Sequence, residues 1–466
     1  MNKNYPVIVG GGPAGIAAAF ELVSNGVNCT LLDESPRVGG VMFRGPYRQG
    51  VKLDYLGIKF RHSMEALHAQ FASVQNKVDL QLNTRVVGVG SNSRVIALNN
   101  DERIKEIPFS EMIITTGCHE RSIPFPGWML PGVSLLGGVQ LQIKSGVVKP
   151  MGRTVVVGSG PLLLQVSCQL VMSGAEVVGV YEASQFSKLA REFISLSNKP
   201  QMILDGVSML SYLKSKCIPI HYGWGIVRAL GKDELNQVML APYDQNWFHD
   251  LKKSHIVEAE TLAVGYGLIP RTQLSQQMGL SHNYNNDGCL TPTIDQWQQS
   301  SQRDIYVAGN LTGILGGEAA VLQGRIAALA ILRKRKNISK EMAEERREHY
   351  KTKLIRVMRF RQGIDRYSFR GPGLLSLPDA ATIICRCEHV IRKDIDNAIN
   401  QGVEDLTSLK MRTRVGMGDC QGAMCVGYCS DRLRQETGRK DVGWITPRFP
   451  IDPIPFSAFE VAKELS

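Results

Sequence analysis

Half of the chain's ten cysteines, Cys385, Cys387, Cys420, Cys425 and Cys429, fall within 45 residues near the C-terminal end. The first four are spaced C-x-C, then 32 residues, then C-x4-C. Four thiolates, two for each iron, are what a [2Fe-2S] cluster takes. Zinc is the alternative, but structural zinc knuckles use C-x2-C to C-x4-C pairs, and C-x-C is unusual among them. Cys429 lies one helical turn beyond Cys425 and suits packing better than ligation. Between the pairs, Ile391, Ile395, Ala398 and Ile399 fall at helical spacing ahead of Gly402, so the thiols are expected on a small helical domain. The other five cysteines, scattered singly, read as small buried apolar residues.

A second constellation opens the chain. YPVIV reads as a strand, GGGPAG as a turn, IAAAFELVSNG as a helix and VNCTLLD as a second strand, together a βαβ unit. Gly10, Gly12 and Gly15, with Pro13 and Ala14 among them, form G-x-G-x-x-G directly after the strand and at the start of the helix, the context this motif needs. Gly10 permits the tight turn, Gly12 lets a pyrophosphate approach the backbone, and Gly15 lets helix pack on strand. The free N–H groups of the helix N-terminus then face the phosphates. Asp33, 18 residues beyond Gly15 at the end of the second strand, is placed for the ribose hydroxyls of an adenosine. Further along come Glu34, Arg37, Gly39 and Gly40 in ESPRVGG, Thr115, Thr116 and Gly117 closing the strand EMIITTG, and Gly309 and Asn310 in VAGN. Taken together these stretches resemble two-dinucleotide-fold flavoproteins of the glutathione reductase type. The resemblance implies FAD in the first site, with VAGN in the place of an A-G-D motif at the ribityl chain. Asn310 stands where Asp is expected; an amide still accepts a hydrogen bond from a hydroxyl and adds a donor.

Residues 153–182 repeat the opening plan as RTVVV, GSGPLLL, QVSCQLVMSGA and EVVGVYE, so the α/β chain holds two Rossmann-like units. The second motif is degenerate: Gly158 and Gly160 precede Pro161, and Leu163 fills the third glycine position. A leucine there is expected to hold helix and strand apart, and Pro161 removes a donor from the loop. Glu182 is still placed for a ribose. An NAD(P)H-fed reductase needs this site intact, so a relic or a site for another ligand is expected. No cysteine pair follows Gly40, which leaves disulfide chemistry without residues. Cys118, with no second thiol or base near it in sequence, reads as structural, and His119 and Glu120 as flavin neighbours without a catalytic role.

The 466 residues are 43% hydrophobic and 21% charged, which fits two to four globular domains and excludes disordered, collagen-like and low-complexity scaffolds. The most apolar stretch, 155–180, is interrupted by Gln165, Gln169 and Glu176, too early for a membrane span. The N-terminal residues run straight into a strand, so a cytoplasmic protein is expected. Of the +11 net charge, about nine units lie in residues 331–371, with 14 Lys and Arg against 5 Asp and Glu. That segment reads as a solvated helical connector, or as a patch for an acidic partner or peripheral contact with the inner face of the cell membrane. Nucleic acid is set aside, because no reading motif or row of aromatics accompanies the charge. The expected division is an FAD-binding domain at 1–120 and 300–332 and a second Rossmann-like domain at 121–299, entered through the linker SIPFPGWMLPG. A basic connector at 333–378, a cluster domain at 379–440 and a tail at 441–466 follow.

CRCE and LKMRTRVGMGDCQGAMC closely resemble the bacterioferritin-associated-ferredoxin-like [2Fe-2S] domain. ERSIPFPGWMLPGV, VVVGSGPLLL and GYGLIPRTQL are similar to a narrower family in which that domain is fused to the flavoprotein. These are the FAD-containing α subunits of heteromeric amine and imino-acid dehydrogenases, such as those of hydrogen cyanide synthase, opine oxidase and D-hydroxyproline dehydrogenase. The sequence departs from the family at Ile391, where a helix-capping Thr is usual, at the expense of one capping bond. The resemblance implies that a separate FAD-dependent β subunit oxidises the C–N bond, while the α subunit passes electrons through FAD and the cluster to a quinone or dye-like acceptor. Some members add a small γ ferredoxin-like subunit or an FMN at the α/β interface, and in some the first site carries ATP or NAD. Three readings follow: an electron-transferring α subunit, a self-contained NAD(P)H-dependent FAD reductase feeding its own cluster, and a redox-sensing interaction protein. A complete first site, a degenerate second one and a one-electron centre on the same chain favour the first, because a flavin accepts two electrons and releases them singly.

Overall fold

Residues 5–48 and 50–459 are described by a computed structural model. Two five-stranded parallel sheets, built to one plan, carry the chain. The runs VIV, CTLL and MII are buried along their whole length, the signature of parallel strands covered by helices on both faces. In the first sheet Val7–Val9 is central, flanked by Met112–Ile114 and Cys29–Leu32, with Ile305–Val307 and Val78–Gln81 outside them, all parallel. Along the chain this order is 3-2-1-4-5, which opens a crevice at the carboxyl ends beside Val7–Val9, where the winding reverses. In the second sheet Arg153–Gly158 lies between Glu176–Glu182 and Thr261–Gly265, with Ile220–Tyr222 and Val133–Leu135 at the edges.

The helix Pro13–Ser24 starts on Gly12 with proline in its first turn, where a missing N–H costs nothing. It crosses the helix Gly317–Lys334 at backbone contact: a Cβ on Gly324 would collide with the Ala14 carbonyl. These two helices form the floor under the first crevice.

Four expectations change. The core of the first domain reaches back before residue 300, since Leu274 and Leu280 pack with Val7, Val9, Ile305 and Val307. The chain has already returned by then, because Leu268–Pro270 pairs antiparallel with Cys118–Glu120. The SIPFPGWMLPG linker is not free: Ile123, Phe125 and Trp128 are buried, and Trp128 Nε1 donates to the Ile383 carbonyl at 2.8 Å. The C-terminal tail folds back onto the first domain, where Ile451 joins its core and Ala458 meets Val87 and Leu98.

The basic connector departs most. Ser339 caps the helix Lys340–Tyr367 by accepting from the Met342 N–H at 3.1 Å, and Ala343, Tyr350, Leu354, Val357 and Ile364 bury one stripe of it. Arg346 pairs with the buried Glu21, Arg333 and Arg347 lie over Trp297 at 4.4 and 4.6 Å, and Arg366 meets Glu192 at 2.6 Å. The helix is therefore a docked strut, because its apolar stripe needs a partner surface, and five of its nine Lys and Arg are in ion pairs within the chain among the described residues. No helix among the described residues is long and apolar enough to cross a membrane.

The C-terminal domain packs helices Arg392–Asn400, Leu406–Thr413 and Val426–Thr437 around Ile384, Ile395, Leu409, Val415 and Leu433. At Ile391 the missing Thr is half compensated, since the Ile391 N–H donates to Asp394 Oδ2 at 3.1 Å, one arm of a capping box.

Candidate functional site

At the crevice of the first sheet lies a cleft open to solvent, with a cavity of about 200 Å³. Of the residues expected at a dinucleotide, Gly10, Gly12, Pro13, Ala14, Asp33, Glu34, Gly40, Thr116, Gly117, Gly309 and Asn310 all line it. Gly15 lies beneath, where a Cβ would strike the Gly10 carbonyl. Gly12 faces open space, its nearest neighbour in the Cβ direction being Gly40 Cα at 3.9 Å, so backbone N–H groups are exposed where a pyrophosphate would rest. Arg37 is not brought in; its guanidinium donates to the Tyr47 carbonyl at 3.3 Å. Asp33 accepts from the N–H groups of Gly11 at 2.6 Å and Ser35 at 2.7 Å, while burial pushes its carboxyl up. Asn310 Oδ1 accepts from the Gly316 N–H at 3.0 Å, and its amide points at Cys118 Sγ, 3.5 Å away.

Residues in and behind the wall make contacts that the sequence did not single out. Arg271 reaches Glu34 at 2.8 Å; burial alone would raise Glu34, but Arg271, Arg85 and Arg44 hold its carboxyl below the usual range. Gln323 accepts from the Gly309 N–H at 2.9 Å and so fixes the VAGN turn. Lys144, fully buried in a π-turn at Gln142–Gly146, donates to the carbonyls of Val41 at 2.6 Å and Met42 at 2.7 Å, both cleft-lining residues. Burial, with Arg44 adding repulsion, draws its ammonium down to about 7. A folded-state value below the unfolded one means that the unfolded chain binds the extra proton between about pH 7 and 10.5, so Lys144 makes stability rise with pH across that window. Urea denaturation at pH 7.5 and 9.5 is expected to show a larger gain in wild type than in Lys144→Met, and equal gains would remove this role.

The four ligand-type thiols converge at one end of the C-terminal domain, Cys385 beside Cys425 and Cys387 beside Cys420. A Cβ on Gly418 would collide with Cys387, so the glycine-rich loop wraps tightly around the thiols. Among the described residues no three His, Cys, Asp or Glu side chains gather closely enough for a single metal ion. Cys429 is fully buried behind Cys425.

The two sites meet across one strand. In Cys118–Glu120 successive side chains point to opposite faces. Cys118 lines the cleft, and the next residue, His119, meets the Ala423 carbonyl with Nε2 at 3.2 Å, inside the Cys420–Cys425 loop. Burial and the nearby Arg271 and Arg121 pull His119 down to about 4, so it is neutral at pH 7, and an acceptor-only partner assigns the proton to Nε2. Glu120 lies on the same side of the strand as Cys118 but does not line the cleft; it accepts from the N–H groups of Gly137 at 2.8 Å and Gly138 at 3.0 Å. Burial pushes Cys118 up to about 11, so it is a thiol at neutral pH. Arg121 at 3.2 Å and Arg370 at 3.0 Å both grip Asp431, clamping the cluster domain to this strand.

The second glycine loop is obstructed, though not by the residue expected. Leu163 is simply buried in the core below the loop. Glu182 accepts from Gly160 and Ser184 N–H groups, each at 3.0 Å, repeating the Asp33 pattern. Above it, however, Ser184 Oγ donates to the Tyr367 carbonyl at 2.8 Å, and Ser368 stands over Gly160, 3.5 Å from where a Cβ would be. The end of the long helix fills the space where a second dinucleotide would lie.

Residues 6–330 match the pyridine nucleotide-disulphide oxidoreductase family and residues 383–435 the BFD-like [2Fe-2S] binding domain. The chain is 57% identical over 454 residues to hydrogen cyanide synthase subunit HcnB of Pseudomonas protegens, covering 97% of both chains. It is 29% identical to the A component of opine oxidase from Agrobacterium tumefaciens, covering 96% of this chain and 90% of that one. Among solved structures, L-proline dehydrogenase from P. horikoshii superposes with a TM-score of 0.70 at 21% identity, over 98% of this chain and 79% of that one, a likeness of fold.

Proposed function

The chain belongs to the pyridine nucleotide-disulphide oxidoreductase family and carries a BFD-like [2Fe-2S] domain, and from that premise we propose that it is the electron-transferring α subunit of a heteromeric dehydrogenase. A catalytic flavin β subunit oxidises a C–N bond of an amino acid, opine or hydroxyproline-type substrate, and this chain relays the electrons to a quinone or dye-like acceptor. The family assignments make its cofactors FAD and a [2Fe-2S] cluster. Bound there, the flavin exchanges electrons in pairs or singly and the cluster singly. The chain itself exposes the Gly12 backbone to phosphate, holds Asp33 at the end of its strand, and presents Cys385, Cys387, Cys420 and Cys425 to iron. The observation that carries the reading is the strand Cys118–Glu120, one residue of which lines the cleft while the next bonds the cluster loop.

Among donors, the full-length likeness to hydrogen cyanide synthase subunits favours glycine. Its oxidation to hydrogen cyanide and carbon dioxide releases four electrons and four protons, two pairs for a flavin to collect. Cyanide release from glycine by the purified complex, set against octopine and hydroxyproline, tests the substrate.

Tyr367 and Ser368 over Gly160 set this reading apart from an NAD(P)H-fed reductase. The anaerobic chain is expected to show flavin bands and about two irons and two sulfides, and to stay oxidised when NADH is added. Rapid bleaching by NADH would mean that the segment moves aside and that the reductase reading is correct.

A further inference from the structure

Beside the mouth of the cleft, a run of contacts links four elements that expose large apolar side chains. Met42, on the cleft wall, lies against Gly317, and the next residue, Glu318, pairs with Lys199 at 2.6 Å. Lys199 leads into the helix Pro200–Ser215, whose Met202, Leu204 and Val207 are exposed, Leu204 by 60%. Asp205 of that helix pairs with Lys59, next to the exposed Ile58. Just before Lys199 comes the short helix Phe193–Leu196, with Phe193 68% and Ile194 83% exposed. It is tied to the long helix by Arg366, which meets Glu192 and Ser195 Oγ, each at 2.6 Å. A monomer rarely exposes so many large apolar side chains in one neighbourhood, and such a patch marks an interaction site.

Charge says what covers it. The carboxylates around the patch, Glu192, Asp205, Glu318 and Asp365, each have a basic partner. Three arginines are left over: Arg191, next to Glu192, and Arg356 and Arg359 are exposed and have no ion pair among the described residues. Arg356 and Arg359 share one face of the long helix with Gly363, which packs against Ser195, so they lie about two turns and one turn along it from the short helix that carries Phe193 and Ile194. A second copy docking face to face would bring these guanidinium groups towards one another, which is unfavourable.

We infer that this apolar face with its unpaired arginines, from Ile58 across 191–207 to Arg359, is the docking surface for the catalytic β subunit, which meets it with an apolar patch edged by carboxylates. The inference rests on the proposed relay function. It places the partner against the cleft wall at Val41 and Met42, on the side of the flavin site away from the cluster loop, where electrons enter.

The test is to tag this chain in its native host, isolate the complex it forms, and compare wild type with Ile194→Asp/Leu204→Asp and with Arg356→Glu/Arg359→Glu. Both variants are expected to retain wild-type flavin and iron while the ratio of bound flavin subunit falls roughly tenfold or more, as loss of a hot spot does. Hydrogen exchange in the wild-type complex is expected to protect 193–207 and 355–359. Partner retained at the wild-type ratio by both variants overturns the surface and leaves the relay intact. A wild-type chain that isolates without any flavin subunit overturns the relay and the surface together. Concentration-dependent dimers of the isolated chain, or flotation on anionic vesicles, that the aspartate pair abolishes would assign the patch to a second copy or to a membrane instead.

Discussion

Cys420→Ser is expected to lose its iron and acid-labile sulfide, from about two of each to background, while its flavin bands persist. The thiol pairs Cys385 with Cys425 and Cys387 with Cys420 join two segments 32 residues apart, so a hydroxyl at either pair leaves one iron short of a ligand. Reduction of a one-electron acceptor should fall to background in that variant. Cluster binding is also folding energy for a small domain, so residues 383–425 should become more labile to proteolysis than the flavin domain. Cys429→Ser, behind Cys425, should keep its iron. Full iron in Cys420→Ser, or its loss only in Cys429→Ser, would move the ligand set.

What could be read from the sequence was what depends on neighbours along the chain. The glycine turns, the buried strands and the C-x-C and C-x4-C pairs are local patterns, and their residues stand together in the structure. Pairings between distant segments had no such signature. Arg271 meets Glu34 across 237 positions, and Tyr367 and Ser368 close a loop at 160 that looked faulty for a different reason, the leucine at 163. The connector showed its charge but hid its function. Counting Lys and Arg in 331–371 gave a solvated helical connector or a basic patch, whereas the spacing of Tyr350, Leu354, Val357 and Ile364 already described a helix with one face to bury. The partners of Glu120 had no signature either, because its carboxylate bonds two N–H groups at the start of a helix 17 residues away, which only the fold brings near.

The division between what builds the cleft and what fills it yields the second large effect, a contrast between two glycines near Ala14. A Cβ on Gly324 would overlap the Ala14 carbonyl, and neither backbone can yield without separating the helices under the cleft. Gly324→Ala is therefore expected to cost about 1–3 kcal/mol, the usual range for overpacking a core, and to lower the apparent Tm of the flavin-free protein with a loss of bound flavin as a consequence. Gly12 differs: its φ of -74° suits any residue, and a Cβ there meets nothing nearer than Gly40 Cα at 3.9 Å. Gly12→Ala should thus leave the stability of the flavin-free protein within about 0.5 kcal/mol of wild type, as a substitution in open space does. The added methyl enters the space of the pyrophosphate, so flavin should be lost from a protein that is otherwise intact. Thermal melts of the stripped proteins and flavin titrations of each separate the two effects. If Gly12→Ala binds flavin as wild type does, the phosphates do not lie over Gly12, and the cleft holds its ligand in another way.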